Sequence, residues 1–249
     1  MRIPRVYLAL PLNVGETVAL TPSACEHLLR ALRLTQGAPL VLCNGDRLDY
    51  HATLVDLGKR SAHARIHDAS ENWSESPLQI VLAQALARGE KMDWVIQKAT
   101  ELGVAMIQPI ITERTEVRLD AERASRRHAH WQAVAVAACE QSGRSRVPRI
   151  GEPETLSAYV AGVDVGAIRL SLDPDGDSLS NLLDGNALQD AMPPIHLVVG
   201  PEGGLSDRDH AQLLAAGFRG LRLGPRILRT ETAGLAALAA LQSLAGDFR

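Results

Sequence analysis

The sequence predicts an α/β chain of two domains, a small antiparallel β-barrel followed by a larger domain built on a parallel sheet. Three observations carry this reading. Short runs with period-two alternation dominate the first part, namely RVYLAL, GETVAL, PLVLC and RLDYHATLVDL. A polar, proline-containing stretch, ASENWSESP at 69–77, interrupts that pattern. Beyond it, apolar strand-like runs alternate with amphipathic helical ones, the signature of parallel strands with covering helices. The boundary is placed in the polar stretch, with domains over 1–70 and 77–249.

In the first domain Asn44-Gly45 is a hairpin signal and Gly58-Lys59 a second turn. One helix interrupts the strands, from Pro22 to about Leu34. Thr21 is its expected N-cap, proline stands at the first helical position, and Leu28, Leu29 and Leu32 form its apolar stripe. His27, Arg30 and Arg33 then lie on or beside its exposed face.

The second domain begins with LQIVLAQAL as a strand, followed by a helix from Lys91 to Leu102 that Gly103 closes, and by VAMIQPII. Met92, Val95, Ile96, Ala99 and Leu102 give that helix a buried stripe. A long helix over roughly Ala121 to Gln141 comes next, capped by Asp120. Trp131, Val134, Ala135 and Ala138 face inward there, and Arg123, Arg126 and Arg127 face water. Three more strands, AIRLSL, IHLVV and the segment around LRL, each run into a loop: DPDGDS, GPEGG and GPRILRT. Three loops at one sheet edge make a pocket.

Composition narrows the class. Of 249 residues, 46% are hydrophobic and 22% charged, which fits a globular chain and not a disordered one. Cys25, Cys43 and Cys139 are far apart and form no C-x-x-C, so neither a disulfide framework nor a zinc site is expected, and a reducing cytoplasm fits. The first residues, MRIPRVYLALPLNVGE, have charge and proline where a signal peptide needs an apolar core, and no stretch is long enough to span a membrane. Net charge is −3, yet residues 1–68 carry eight Lys and Arg against six acids, together with four histidines. By itself that small excess favours a mixed solvated surface over a nucleic-acid face, since binding domains usually show a stronger basic excess. His128 and His130 form an H-x-H that a helix does not place on one face, so they read as surface residues and not as metal ligands.

The two glycine-rich loops hold the chemistry. Glycine lets the backbone approach a ligand and adopt positive φ, while a strand in front and a helix behind hold each loop at the carboxyl edge of the sheet. In GPEGGLSDRD, Ser206 is an expected N-cap with Asp209 three residues on, opening a helix that ends near Gly217. In LGPRILRTETAGLAAL, Thr230 is the expected cap of the last helix, whose Leu235, Leu238, Leu241 and Leu244 recur at spacing three. Neither G-x-G-x-x-G after a strand nor G-x-x-x-x-G-K-S/T occurs, so the usual dinucleotide and P-loop fingerprints are missing.

MRIPRVY, HLLRALRL and NGD, with ARGEKMDWVIQKATELGV, ACEQSGRSRVP, VVGPEGGLS and LGPRILRTETA, run nearly end to end along the chain. With these motifs the sequence closely resembles the bacterial RsmE-type 16S ribosomal RNA (uracil-N3)-methyltransferases. The resemblance implies an N-terminal PUA-like barrel for RNA, a C-terminal SPOUT-class α/β domain whose chain forms a trefoil knot, S-adenosylmethionine as cofactor, and a homodimer. Chains do not ordinarily thread loops, so the knot rests on the resemblance alone.

Carried onto this chain, the resemblance places the cofactor against Leu172, the loop Gly200, Pro201, Glu202, Gly203 and Gly204, and the segment Leu223, Gly224, Ile227 and Leu228. Methylation of uridine N3 needs in-line approach to the sulfonium methyl, loss of the N3 proton and stabilisation of charge on the uracil oxygens. Arg229 suits the last task and Glu202 the second. The structural alternatives are that Glu202 ties down loop N–H groups and that Arg229 pairs with Glu231 or a partner subunit. RNA contact is expected from Arg2, Arg5, Arg30, Arg33 and Arg47, with Lys91, Arg144 and Arg146 from the second domain. Aromatics make up only 3% of the chain, so a folded ribosomal element recognised by shape is expected, with Tyr7 the one nearby aromatic. Two other classes stand beside this reading: an RNA-binding module that has lost methyl transfer, and an enzyme using the same pocket for another nucleotide ligand.

Overall fold

The computed structural model describes residues 3–182 and 192–248, which form two compact units. One contains the chain up to Glu75 together with Val136–Val147, and the other contains Ser76–Ala135 and the chain from Pro148 onward. The ACEQSGRSRV segment therefore packs with the first unit, although it lies far beyond the polar stretch in sequence.

The first unit holds β1 (Arg5–Tyr7), β2 (Thr17–Ala19), α1 (Pro22–Cys25), β3 (Pro39–Cys43), β4 (Leu48–Val55) and β5 (His63–Glu71). The sheet order is β1-β3-β4-β5-β2. All its pairings are antiparallel except β1 with β3, which is parallel, so the sheet is mixed at one edge and not purely antiparallel. Val6, Leu40, Leu42, Tyr50, Ala52, Leu54, Ala64 and Ile66 turn one face of four strands into a single core, which a sheet this short does by curling. The strand β5 shows the same alternation, and its last residues Ala69 to Glu71 are the beginning of the polar stretch taken as a boundary.

The predicted helix at Pro22 starts as expected, with Thr21 Oγ1 accepting from Ala24 N. It does not continue as one α-helix. From Glu26 to Ala31 it widens to a π-helical turn, and Leu32 N donates to His27 O, five residues back. The wider turn rotates the stripe: Leu28 is buried, whereas Leu32 is turned to solvent.

The second unit is a parallel sheet: β6 (Ile80–Ala85), α2 (Lys91–Glu101), β7 (Met106–Ile111), α3 (Ala121–Ser142, whose last turns belong to the first unit), β8 (Arg149–Ile150), β9 (Glu154–Thr155), α4 (Leu156–Ala161), β10 (Ile168–Ser178), α5 (Leu179–Leu182), β11 (Ile195–Val199), α6 (Asp207–Ala215), β12 (Arg219–Arg222) and α7 (Thr230–Ala245). The strand order is β12-β10-β11-β6-β7-β8, with β9 beside β7, and every pairing among the described residues is parallel. Along β6, Ala83 and Ala85 share a core with Leu156, Tyr159, Leu213 and Phe218 of the α4 and α6 side, while Leu82 and Gln84 face α7. Gly234 lets α7 approach, since a Cβ there would stand 3.2 Å from Val199 and 3.3 Å from Leu82. Helix ends follow the local signals: Gly103 and Gly217 have φ of 78° each, Asp120 accepts from Arg123 N, and Ser206 with Asp209 closes a capping box.

DPDGDS is not a simple loop after a strand. Leu172 and Asp177 both pair with Leu221, so residues 173–176 bulge out while β10 resumes beyond them. The backbones cross tightly there: a Cβ on Gly176 would lie 2.4 Å from the carbonyl carbon of Gly220. No helix among the described residues is long and apolar enough to cross a membrane.

Candidate active site

A pocket of about 540 Å³ opens at the carboxyl ends of β10, β11 and β12, where ligands bind in open parallel sheets. Its walls are the β10 bulge (Leu172, Asp173, Pro174), the loop after β11 (Gly200, Pro201, Glu202, Gly204, Leu205) and the loop between β12 and α7 (Leu223, Gly224 and 226–229). Gly204 and Gly224 have φ of 70° and 79°, and a Cβ at either would meet nothing within 4 Å. The positive φ is what calls for glycine at both positions, and the space beside them is open to a ligand.

One wall is charged. Lys91 Nζ lies 3.0 Å from Glu202 Oε1 and 3.4 Å from Glu231 Oε2. Glu202 Oε1 also accepts from Arg88 N at 3.1 Å. Burial pushes the Glu202 carboxyl up, but Lys91 and the backbone N–H groups outweigh it and hold Glu202 below the usual carboxylate range. Lys91 is raised, chiefly by its hydrogen bond to Glu202. Asp173 Oδ1 accepts from Asp175 N at 2.9 Å, and its Oδ2 faces His210 Nδ1 at 3.7 Å.

The loops are fixed from behind. Thr230 does not cap α7; the cap position belongs to Arg229, which makes no side-chain capping bond. The Thr230 hydroxyl instead donates to Gly200 O at 2.6 Å and accepts from Gln84 Nε2 at 2.9 Å, tying both loops to β6. Arg114 Nη1 donates to Gly203 O and Leu205 O, each at 3.2 Å. Gly203 accordingly packs against Arg114 and does not line the pocket.

Of the residues singled out in the sequence, Leu172, Gly200, Pro201, Glu202, Gly204, Leu223, Gly224, Ile227, Leu228 and Arg229 come together at the pocket. So does Lys91, expected at RNA. Sequence reasoning missed Asp173 and His210, and offered Glu231 only as an ion-pair partner of Arg229; the position of Asp173 in a strand-to-glycine turn was the available signal. Arg229 is exposed and has no carboxylate within 4.0 Å among the described residues.

The expected RNA-contact residues of the first unit divide by burial. Arg5, 9% exposed, is spent on a bidentate pair with Asp49 at 2.6 and 2.7 Å, and Arg144, 5% exposed, pairs with Glu75 at 2.8 Å. Burial opposes the charge on Arg5, but the Asp49 carboxylate outweighs it and raises the guanidinium pKa. Neither side chain is presented to solvent. Arg30, Arg33, Arg47 and Arg146 are exposed. Arg33 and Arg47 adopt left-handed φ of 54° and 73°. Arg2 lies outside the described residues. His128 binds Ile150 O and His130 binds Asp93, each used separately.

Residues 74–242 match the model of an RNA methyltransferase domain, and residues 20–66 that of an RNA methyltransferase PUA domain. The ribosomal RNA small subunit methyltransferase E of Buchnera aphidicola is 30% identical over 246 residues, covering 99% of this chain and 98% of that one. A methyltransferase from Legionella pneumophila, solved in complex with its cofactor SAM, superposes with a TM-score of 0.92 at 38% identity, covering 99% of this chain and 100% of that one. The ribosomal RNA small subunit methyltransferase E of Neisseria gonorrhoeae, solved bound to S-adenosyl methionine, gives 0.90 at 38% identity, covering all of both chains. On the domain match and these end-to-end likenesses, the chain belongs to the PUA-containing RNA methyltransferases, in the family of ribosomal RNA small subunit methyltransferase E.

Proposed function

We infer that the protein acts as its family does, as an S-adenosylmethionine-dependent methyltransferase of small-subunit ribosomal RNA, and that its acceptor is N3 of a specific uridine in 16S rRNA. The observation that carries this is the pocket itself. It joins two glycine loops and an aspartate bulge at the carboxyl ends of three parallel strands, in a chain with family motifs along its length. A nucleoside needs an apolar slot edged by amide groups, and Leu172, Leu221, Leu223 and Ile227 beside the open faces of Gly204 and Gly224 provide one. Asp173 supplies the carboxylate suited to ribose hydroxyls. The bound cofactor supplies an electrophilic methyl on a sulfonium.

Arg229 has the freedom its role requires. Exposed at the pocket mouth and free of an internal ion pair, its planar fork is available to a uracil oxygen as charge builds during loss of the N3 proton. Glu202 fits the anchoring alternative better than the base: Oε1 is already taken by Arg88 N and Lys91, and a carboxylate held low is a weak proton acceptor. Arg229→Ala therefore lowers turnover by roughly 100-fold or more with cofactor affinity nearly unchanged. Equal loss of both would make Arg229 structural. With cofactor saturating, Glu202→Gln keeps most of its turnover at neutral pH; a drop of about 100-fold under those conditions would restore Glu202 as the base.

The finer reading has the first domain, over 1–70, contacting RNA phosphates through Arg30, Arg33 and Arg47, with Arg146 added from the segment that packs with it. The methyltransferase domain, over 77–249, forms a SPOUT trefoil knot and a homodimer, and the protein works in the cytoplasm on the assembled small subunit. The family motifs along the chain are what support the knot. Incubation with labelled S-adenosylmethionine and small subunits lacking the modification, followed by nucleoside mass spectrometry, tests the whole reading. N3-methyluridine is expected; another methylated nucleoside overturns the specificity.

A further inference from the structure

The charged wall of the pocket carries an inference about one end of the cofactor, and it rests on the reading of this pocket as the S-adenosylmethionine site. Lys91 is the first residue of α2, where the positive end of the helix disfavours a cation. Two carboxylates from other elements hold it there, Glu202 of the loop after β11 and Glu231 of the first turn of α7. The three side chains together carry one net negative charge. Glu231 Oε2 is buried and, among the described residues, has no hydrogen-bond donor; the Lys91 ammonium 3.4 Å away is an ion pair without hydrogen-bond alignment. A buried carboxylate oxygen on a pocket wall without an aligned donor is suited to one that a ligand brings.

The amino-acid end of S-adenosylmethionine carries such a donor, an α-ammonium, next to an α-carboxylate that needs a cation. We propose that Glu231, Lys91 and Glu202 are the receptor for this end. Glu231 accepts from the α-ammonium, and Lys91, released from Glu231 but still held by Glu202, donates to the α-carboxylate. The exchange leaves the charge of the wall unchanged, because the ligand's amino-acid end is a zwitterion. The residual negative charge of the trio faces the sulfonium's positive charge. Lys91 thereby belongs to the cofactor site and not to the RNA-contact set.

Three ligands separate this assignment from a general effect on the pocket: S-adenosylmethionine, S-adenosylhomocysteine, and 5′-methylthioadenosine, which has the nucleoside and the sulfur but no amino-acid end. Isothermal titration of the full chain is run with each ligand on wild type, Glu231→Gln and Lys91→Met. Both variants are expected to lose roughly tenfold to a hundredfold in affinity for the first two ligands while binding methylthioadenosine as wild type does. Unchanged methylthioadenosine binding also shows that the variant pocket is folded. Glu231→Asp, which keeps the charge, is expected to recover part of the loss. Equal weakening for all three ligands, or no weakening for the first two, overturns the proposal. Wild type binding none of the three overturns the cofactor reading of the pocket and this assignment with it.

Discussion

Replacing Thr230 by valine removes one hydroxyl and almost no volume, so its effect measures the hydrogen-bond relay that fixes the pocket. That hydroxyl donates to Gly200 O at 2.6 Å and accepts from Gln84 Nε2 at 2.9 Å, with Thr230 7% exposed and Gln84 fully buried. Gln84 Nε2 keeps its second acceptor, Ala85 O at 3.1 Å, so the main loss falls on the Gly200 carbonyl. Leaving the part-buried Gly200 carbonyl without its donor costs at most about 1–3 kcal/mol, and weakening the buried Gln84 bond adds about 1 kcal/mol, for a total of up to about 2–4 kcal/mol. At about 2–4 °C per kcal/mol for a chain of this size, the melting temperature should fall by roughly 4–16 °C. Urea unfolding monitored by circular dichroism, beside thermal melts, gives both values. Thr230→Ser keeps the hydroxyl and should recover most of the stability, at the cost of a buried methyl. A valine variant within about 0.5 kcal/mol of wild type, a change expected at an ordinary surface site, would refute the relay.

Gly176→Ala places a Cβ 2.4 Å from the Gly220 carbonyl carbon and 2.5 Å from its oxygen, both backbone atoms, so this variant should yield no cooperatively folded second unit on denaturant titration. Gly162→Ala, whose new Cβ meets nothing closer than 3.6 Å, should change stability by no more than about 1 kcal/mol in the same assay. Glu75 is 8% exposed and receives Arg144, Ser145 N and Arg146 N; burial pushes its carboxyl up, but those donors hold it below 4.5. A depressed folded value means stability that is present above 4.5 and lost as pH falls through the lower folded value, so Glu75→Gln should cost about 3 kcal/mol at pH 7 and progressively less in acid. A urea series across pH in which the gap between wild type and variant stays constant would count against that pairing.

The parts of the fold that could be read from sequence are those whose cause is local. Ser206 with Asp209, the glycines at 103 and 217 and the cap at Asp120 each act within four residues, and the structure places each where the pattern did. The apolar runs that become β6, β7 and β11 are buried on both faces, so their period was uninformative, but their length and punctuation sufficed. The π-helical turn after Cys25 escaped because one hydrogen-bond step changes without any change in composition. The β10 bulge escaped because its partner, Leu221, lies 49 residues beyond Leu172 and pairs with both Leu172 and Asp177.

Two of the arginines expected at RNA, Arg5 and Arg144, are buried for a different reason. Arg5 and Arg144 carry the same charge in the sequence whether they face phosphate or a buried carboxylate, and what decides is Asp49, 44 residues from the one, and Glu75, 69 from the other. Lys91 is more instructive, because its local context did contain a warning. A lysine at the first position of a helix stands against the helix dipole, and the segment around it offers no acid at i+3 or i+4 to hold it, since Trp94 and Val95 occupy those places. Such a lysine requires carboxylates from elsewhere in the fold. The two glycine loops, each with a glutamate in or beside it, were among the segments already marked as converging on one pocket, and Glu202 and Glu231 are the partners found there. A cation placed against its helix dipole and two glutamates on converging loops together define a charged pocket wall more specifically than any of the three does alone.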